Sequence, residues 1–267
     1  MSPVTKKPVM LVVQPIRRQT LEVAVLGTTP LILHRMAEKG LRELLFPGGR
    51  KTTAERAETL KHEPIEEFRA AAETLPDGPT LLALMSTAFK AAMMTAALDL
   101  PGSTKAQIGR LVYVHGEKVP IYGTPRILLS VTRSSDAGRT PDVRSRPILP
   151  RWAATLRISY QVPLLTERSI VNLLAGAGQI CGVGDWRQEK GKGSYGQYVL
   201  TSPNDAEWLS IMGEGRGAQV AAMESPEPYD AQTSELLNWF EDERERRGRN
   251  EEGSVLDAQG GEEEAVA

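Results

Sequence analysis

The segment from residue 176 to residue 196, GAGQICGVGDWRQEKGKGSYG, contains seven glycines in 21 residues. So many glycines indicate backbone at positive φ, or backbone that another group approaches closely. The GxxxxGK[ST] pattern of a phosphate-binding P-loop is absent. The glycines follow a predicted helix instead of joining a strand to a helix, which excludes the dinucleotide-binding pattern as well.

Basic and aromatic residues alternate with these glycines. Bare backbone amides beside such side chains suit a phosphate backbone and stacked bases. The alternative is a long, flexible loop at the edge of a sheet. The residues of this segment that we predict to contact nucleic acid are Gly182, Gly184, Trp186, Arg187, Lys190, Lys192 and Tyr195.

A basic run precedes this segment. Residues 105–157 contain ten Lys and Arg residues and three Asp and Glu residues. A line of cations along a sheet face would attract a polyanion. The alternative is a solvated face, or arginines paired with acids elsewhere in the fold. The predicted phosphate contacts in this run are Arg133, Arg139, Arg144, Arg146 and Arg151.

Charge is divided unevenly along the 267 residues, although the net charge is only −2. Residues 202–267 contain 17 acids and 5 bases, so residues 1–201 keep 17 acids and 27 bases, a balance of +10. A basic body favours polyanionic partners through counterion release. The acidic end is typical of a separate element that binds a protein partner or shields the basic surface.

The periodicity of apolar residues predicts an α+β fold. Residues 20–26 and 152–162 alternate as half-buried strands, and helices are predicted from Ser86 and from Thr166. Further strands are predicted within 111–121, 125–131 and 197–200. This order gives an RRM-like or ferredoxin-like βαββαβ plan, with an antiparallel sheet and two helices on one face.

The chain divides into three predicted parts. Residues 1–19 form a flexible basic arm, and residues 20–201 form the nucleic-acid-binding domain with a helical insertion at 34–75. Residues 202–267 form an acidic tail with one helix near 234–247 and disorder after it. Within the domain, residues 133–150 contain three prolines and no period, which predicts a loop.

Catalytic and metal-binding patterns are sparse. The three histidines, His34, His62 and His115, are far apart and show no zinc-ligand spacing. His34 is a candidate general base for RNA cleavage, although a structural or surface role is the commoner one. Asp185 is a single carboxylate without a partner, and Cys181 is typical of a buried thiol. We therefore assign no catalytic residue, no metal and no cofactor.

Cellular location follows from what the sequence lacks. It has one cysteine and no signal peptide, and its longest apolar stretch, Val23 to Leu33, is too short to span a bilayer. We expect a cytoplasmic protein with no membrane contact.

The order of predicted elements, closing with GAGQICGVGDWRQEKGKGSYGQY before the last short strand, resembles the RAMP superfamily of CRISPR-associated RNA-binding proteins. Their RRM-like folds often carry a glycine-rich loop after the final helix. TTPLILHR, FKAAMMTAA and GVGDWRQEKGKGSYGQY also resemble a group of phage and prophage proteins, which implies a bacterial cell and possible phage origin. The resemblance covers about residues 20–201. The family's loop matches here at Gly182, Gly184, Gly191, Gly193, Gly196, Arg187 and Lys190.

The sequence departs from the family in two respects. It has no clear catalytic histidine beside a Tyr, Ser or Lys, as the endonucleases of the superfamily have. It also lacks an RNP1 string with two aromatic residues on the central strand. Both departures put enzyme activity in doubt more than binding.

The function we expect is non-catalytic binding of single-stranded RNA or DNA through its backbone. Copies of the chain are expected to assemble side by side along the strand as a homo-oligomer, and the acidic tail is expected to have a protein partner. Two alternatives remain open. One is a metal-independent endoribonuclease of the RAMP type that uses His34 or His115, and the other is a phage structural or assembly protein.

Overall fold

The computed structural model describes residues 15–36, 41, 45, 62–133, 141–190 and 192–263. Most of the expected arm 1–19, much of the expected insertion 34–75, Arg139 and Gly191 lie outside these residues.

The described residues form an α+β fold with antiparallel sheets. The strands are β1 Arg17–Gly27, β2 Leu31–Ile32, β3 Glu73–Thr74, β4 Leu82–Met85, β5 Val112–Val114, β6 Lys118–Pro120, β7 Arg126–Arg133, β8 Pro141–Leu149, β9 Ala153–Val162 and β10 Tyr198–Thr201. The helices are α1 Pro64–Ala70, α2 Ser86–Ala96, α3 Lys105–Leu111, α4 Glu167–Ile180, α5 Ala206–Met212, α6 Gly215–Glu224 and α7 Ala231–Glu263.

The largest sheet has four antiparallel strands in the order β10–β1–β9–β5. β1 and β9 pair from Arg17↔Val162 to Leu26↔Ala153. Their alternating apolar side chains, such as Val25, Leu156 and Ile158, are buried in the main core with α2 and α4. The strands predicted at 20–26 and 152–162 are confirmed, because only one face of each strand is apolar enough to bury.

Two three-stranded sheets lie outside the predicted plan, with the orders β2–β8–β7 and β3–β4–β6. The prediction of a loop over residues 133–150 is wrong for β8, which pairs with β7 from Arg126↔Ile148 to Arg133↔Pro141. Prolines are tolerated here because Pro141 is the first residue of the strand and Pro147 offers its carbonyl, which accepts from Leu33 N at 2.9 Å. β3 likewise shows that the expected insertion 34–75 is not wholly helical.

Helices that follow Thr201 pack against the body of the fold. Trp208 and Ile211 of α5 are buried against Ala24 and Ala153 on the face of the largest sheet opposite α2 and α4, and Met223 of α6 joins the main core. Counting acidic residues concealed these anchors, because the charges lie on exposed helix faces.

The helix predicted near 234–247 lies within α7, which extends further than expected. Glu243 receives hydrogen bonds from Arg246 and Arg247 at 2.7–2.8 Å, and pairs at this spacing support helix. Helical backbone continues to Glu263, where we expected disorder. None of the described helices, α7 included, combines the length and apolar character needed to cross a membrane.

Gln219 of α6 ties the C-terminal helices to the rest of the fold. Its side chain is fully buried. Its amide oxygen accepts from Leu81 N (2.8 Å) and Leu82 N (2.9 Å), and its amide nitrogen donates to the carbonyls of Ile121 (2.8 Å) and Gly123 (2.9 Å). All four bonds of the amide go to backbone groups at the ends of β4 and β6.

Replacing this amide tests whether the C-terminal helices belong to the cooperative fold. We expect Gln219→Ala to lower the free energy of unfolding by about 3–5 kcal/mol, because it leaves several buried backbone groups unpaired. Gln232→Ala, at an exposed position of α7, is the control and should change it by less than about 0.5 kcal/mol. Urea unfolding followed by circular dichroism measures both, and equal values for the two variants would contradict the role given to Gln219.

Candidate nucleic-acid interface

The glycine-rich segment begins in α4 and continues as a loop that is hydrogen-bonded to strand β2. Val183 N donates to Gly196 O (2.9 Å), which ties the two arms of the loop together. Asp185 N donates to Ile32 O (2.9 Å), and Gly196 N donates to Pro30 O (2.8 Å). The expected alternative of a flexible edge loop therefore does not describe residues 181–190 and 192–197.

The glycines of this loop allow close approach within the protein. Gly184 has φ +81°, and a Cβ there would lie 2.5 Å from Leu31 Cδ1 and 2.6 Å from Ile32 O. Gly182 has φ +70°, and a Cβ there would lie 3.0 Å from the carbonyl oxygens of Tyr195 and Gly196. The bare backbone predicted to receive a phosphate at these two positions faces other parts of the same chain instead.

Arg146 is the buried centre of the site, with an exposed fraction of 1%. Its Nη1 donates to Asp185 Oδ2, and its Nη2 donates to Ser130 Oγ at 2.6 Å. The guanidinium carbon lies 4.7 Å from the centre of the Trp186 ring, a cation–π contact. Burial lowers the pKa of Arg146, whereas the charge of Asp185 raises it. Arg146 is therefore a structural cation with almost no surface open to a ligand, and we leave it out of the proposed phosphate contacts.

An exposed surface surrounds Arg146 and its partly exposed partner Asp185. We call it the loop face and define it by His34, Arg126, Arg144, Trp186, Tyr195 and Tyr229. The three Trp and Tyr rings are partly buried against Ile32, Leu128 and Ile148. The centres of the Trp186 and Tyr195 rings are 6.2 Å apart. The loop face thus combines partly exposed rings with cations.

The two exposed arginines of the loop face each lie beside a carboxylate. Arg144 has a side chain 51% exposed, with its Nη2 3.2 Å from Asp142. The guanidinium of Arg126 lies 3.3 Å from the exposed carboxylate of Glu227. A phosphate can compete for such cations, because ion pairs in water contribute little.

His34 lies on the same surface, close to Arg144 and the Arg146–Asp185 pair. Its pKa is lowered, first by partial burial of the ring and then by the two arginines, while Asp185 opposes the shift. The neutral form of this imidazole is therefore favoured, and it is the form that accepts a proton.

The remaining predicted cations are engaged within the protein or lie away from the loop face. Arg151 pairs with Glu214 at 3.3 Å, on the side of α6. Arg187 donates to Glu189 Oε2 (2.8 Å) and to Gly184 O (2.9 Å), so it braces the loop. Lys192 is exposed, Lys190 closes a short 3₁₀ helix and Arg133 ends β7. Of the predicted residues that the structure describes, Arg144, Trp186 and Tyr195 lie on the loop face, Arg146 lies beneath it, and Arg187 is bridged to Tyr195.

Arg126 and Tyr229 are loop-face residues that the sequence reasoning did not assign to the site, and Tyr229 gave no signal at all. It reaches the loop face because residues 227–229 continue the β2–β8–β7 sheet: Ile127 N donates to Glu227 O, and Tyr229 N donates to Ile127 O, both at 2.9 Å. Tyr229 follows Pro226 and Pro228 closely, so the local sequence does not predict a strand. The segment also belongs to the part of the chain that we expected to be an acidic tail. Within the described ranges, no three His, Cys, Asp or Glu residues are grouped as metal ligands.

Comparison with solved structures gives a distant likeness. No protein-family model matches the chain, and no curated protein matches it in sequence. The crystal structure of Cmr6 from Pyrococcus furiosus is similar to it. The two share 9% sequence identity, the match covers 69% of this chain and 99% of that chain, and the TM-score is 0.37.

The ion pair of the buried Arg146 with the partly exposed Asp185 and the exposed Arg126–Glu227 pair should differ sharply in their effect on stability. We expect Asp185→Ala to lower the free energy of unfolding by about 3–5 kcal/mol, because it leaves the Arg146 charge buried and unpaired. Glu227→Ala removes the partner of the exposed Arg126 and should cost less than about 1 kcal/mol.

Denaturant titration measures both variants. The double variant Arg146→Met/Asp185→Ala should recover part of the loss, since it removes the uncompensated charge together with its partner. A loss for Asp185→Ala no larger than that of Glu227→Ala would refute the assignment of Arg146 as a structural cation.

Proposed function

We propose that the chain binds single-stranded nucleic acid at the loop face. One observation carries the proposal: the loop face places three partly exposed aromatic rings beside two exposed arginines. Rings of this kind stack on unpaired bases, and arginines of this kind exchange a surface carboxylate for a phosphate. The +10 balance of residues 1–201 supports the same ligand class.

We also propose that the largest sheet, with α2 and α4, is a ferredoxin-like βαββαβ unit. Its six elements would be β1, α2, β5, β9, α4 and β10. The strand order β10–β1–β9–β5 and the antiparallel pairing of every neighbouring pair support this proposal. The β2–β8–β7 and β3–β4–β6 sheets would then be additions to the unit, and the loop face would belong to the first of them.

Binding is tested with fluorescently labelled single-stranded RNA and DNA oligonucleotides by anisotropy at several salt concentrations. We expect Arg144→Ala to weaken binding to all sequences alike and to reduce the log–log salt slope by about 0.7, the loss of one phosphate contact on a single strand. Arg168→Ala, an exposed position near the start of α4, is the matched control and should leave both quantities unchanged. An equal effect of the two substitutions, or no binding by the wild-type chain, would contradict the proposal.

The position of His34 favours a second candidate function, cleavage of bound RNA. Neutral His34 would accept the proton of a 2′-hydroxyl, whose oxygen then attacks the adjacent phosphorus. The 5′-oxygen would leave with a proton from solvent, giving a 2′,3′-cyclic phosphate and a 5′-hydroxyl. Arg144 lies where it would stabilise the charge that develops on the phosphate.

This candidate makes a pH prediction. The cleavage rate should rise with pH through a midpoint below 6.5, because the pKa of His34 is lowered and the base must be unprotonated. His34→Ala should abolish cleavage while oligonucleotide binding persists, and an all-deoxy strand should remain intact. Denaturing gels of end-labelled strands measure the rate. Cleavage that survives in His34→Ala would assign it to another residue or a contaminant.

A further inference from the structure

A cleft of about 620 Å³, which we call the α6 cleft, lies between α6, the residues at the start of β7 and the segment that follows β8. Binding sites for small molecules range from about 300 to 1,000 Å³ and are mainly apolar, with a few polar groups placed in them. The apolar lining of the α6 cleft comes from Ala218, Ala221 and Ala222 of α6 and from Pro125 and Pro150. Such small or flat side chains leave room for one planar ring to lie against them.

The carboxylate of Glu214 is fixed within the α6 cleft. Thr124 Oγ1 donates to its Oε2 at 2.7 Å, and Arg151 Nη2 donates to its Oε1 at 3.3 Å. All three residues line the cleft. The two oxygens of a carboxylate offer about four acceptor sites, so one bond to each oxygen leaves a further site on each. The cleft therefore presents a positioned pair of acceptors to a ligand that has two adjacent N–H donors.

Guanine is the base whose Watson–Crick edge fits this pair of acceptors. Proteins read unpaired bases through such edges. The N1–H and N2–H groups of guanine are adjacent donors, whereas adenine and cytosine present an amino donor beside an acceptor nitrogen. Uracil and thymine present one N–H donor between two carbonyl oxygens. A carboxylate that faces either of these other patterns would place one of its oxygens against an acceptor, which leaves both groups without a hydrogen bond.

The α6 cleft is continuous with the loop face. Arg126 lines the cleft and also belongs to the loop face. Glu227 lines the cleft as well, and Tyr229, two residues further along, is one of the rings of the loop face. The backbone of this short segment is held by its hydrogen bonds to Ile127. A single strand whose bases reach the loop face can therefore keep one phosphate at Arg126 and place the adjoining base in the cleft.

We propose that the α6 cleft binds one guanine base of a single strand held at the loop face, and that Glu214 is the residue that selects guanine. The N1–H and N2–H groups of the base donate to the two oxygens of Glu214, and Arg126 contacts the phosphate beside it. The inference rests on the proposed function and deepens it, because it gives a backbone-directed binder a sequence preference. The residues that line the cleft all lie outside β1, α2, β5, β9, α4 and β10.

The test compares labelled oligouridine strands that carry one guanosine, one inosine or one adenosine, each measured by fluorescence anisotropy. The wild-type chain should bind the guanosine strand about fivefold to a hundredfold more tightly than the adenosine strand, the range expected for a bidentate pair. Inosine lacks the N2 amino group and should give an intermediate affinity. Glu214→Gln should bind the three strands alike, because its amide replaces one acceptor by a donor. Glu207→Gln, at an exposed position of α5, is the matched control and should keep the preference.

A second variant tests the inference without changing the carboxylate. Ala221→Leu adds bulk to the cleft at an exposed helix position, so it should remove the guanine preference and keep the wild-type melting temperature to within a few degrees. Equal affinity of the wild-type chain for the guanosine and adenosine strands, or a preference that survives in either variant, would overturn the inference. If Arg144→Ala still weakens binding in that case, the proposed function stands alone. If the wild-type chain binds none of the strands, both proposals fail.

Discussion

A buried positive charge must have a counter-charge close by, and the arrangement of the loop around Arg146 follows from that requirement. Arg146 comes from β8, while Asp185 reaches it only because Asp185 N is bonded to Ile32 O of β2. Gly184 permits that approach, and the Trp186 ring then lies over the guanidinium. One ion pair therefore fixes the loop, the β2–β8–β7 sheet and the ring positions of the loop face together.

This arrangement reverses the expected roles of the glycine-rich segment. The glycines serve packing within the protein, and the arginine beneath the loop is structural. Under the proposed function, the groups left for a ligand are those at the rim: the exposed Arg144 and Arg126, the partly exposed rings and His34. A rigid loop would favour such binding, since rings that are already positioned lose little freedom when a base stacks on them.

The strands and helices predicted correctly are those in which the spacing of apolar residues along the chain matches the residues that the fold buries. Alternating Leu21, Val23 and Val25 fit only one sheet face, and the capping residue Thr166 begins α4 as expected. Strand β8 was not predicted, because a proline such as Pro147 is typical of a loop. In the sheet Pro147 needs no N–H group, since its carbonyl oxygen accepts the hydrogen bond from Leu33 N. The anchors Trp208 and Ile211 lay within a stretch that net charge marked as a tail.

The site was less accessible to sequence reasoning than the fold. Arg146 and Asp185 are 39 residues apart, and no spacing rule pairs residues on a strand and a distant loop. Thr124, Arg151 and Glu214 meet in the α6 cleft from three separate segments of the chain. Type and approximate count of charges can be read from a sequence, but which cation is buried and which is exposed depends on tertiary contacts.

Gln219 has a consequence for the order in which the chain can fold. Its four backbone partners precede it by 96 to 138 residues. During synthesis the ends of β4 and β6 leave the ribosome long before α6 does, and their polar groups must stay hydrated until it arrives. Contacts this distant in sequence slow folding, because a long loop must close before any of them forms. The body of this protein therefore completes its fold only after α6 has been synthesised, and until then the nascent chain exposes two incompletely paired strand ends.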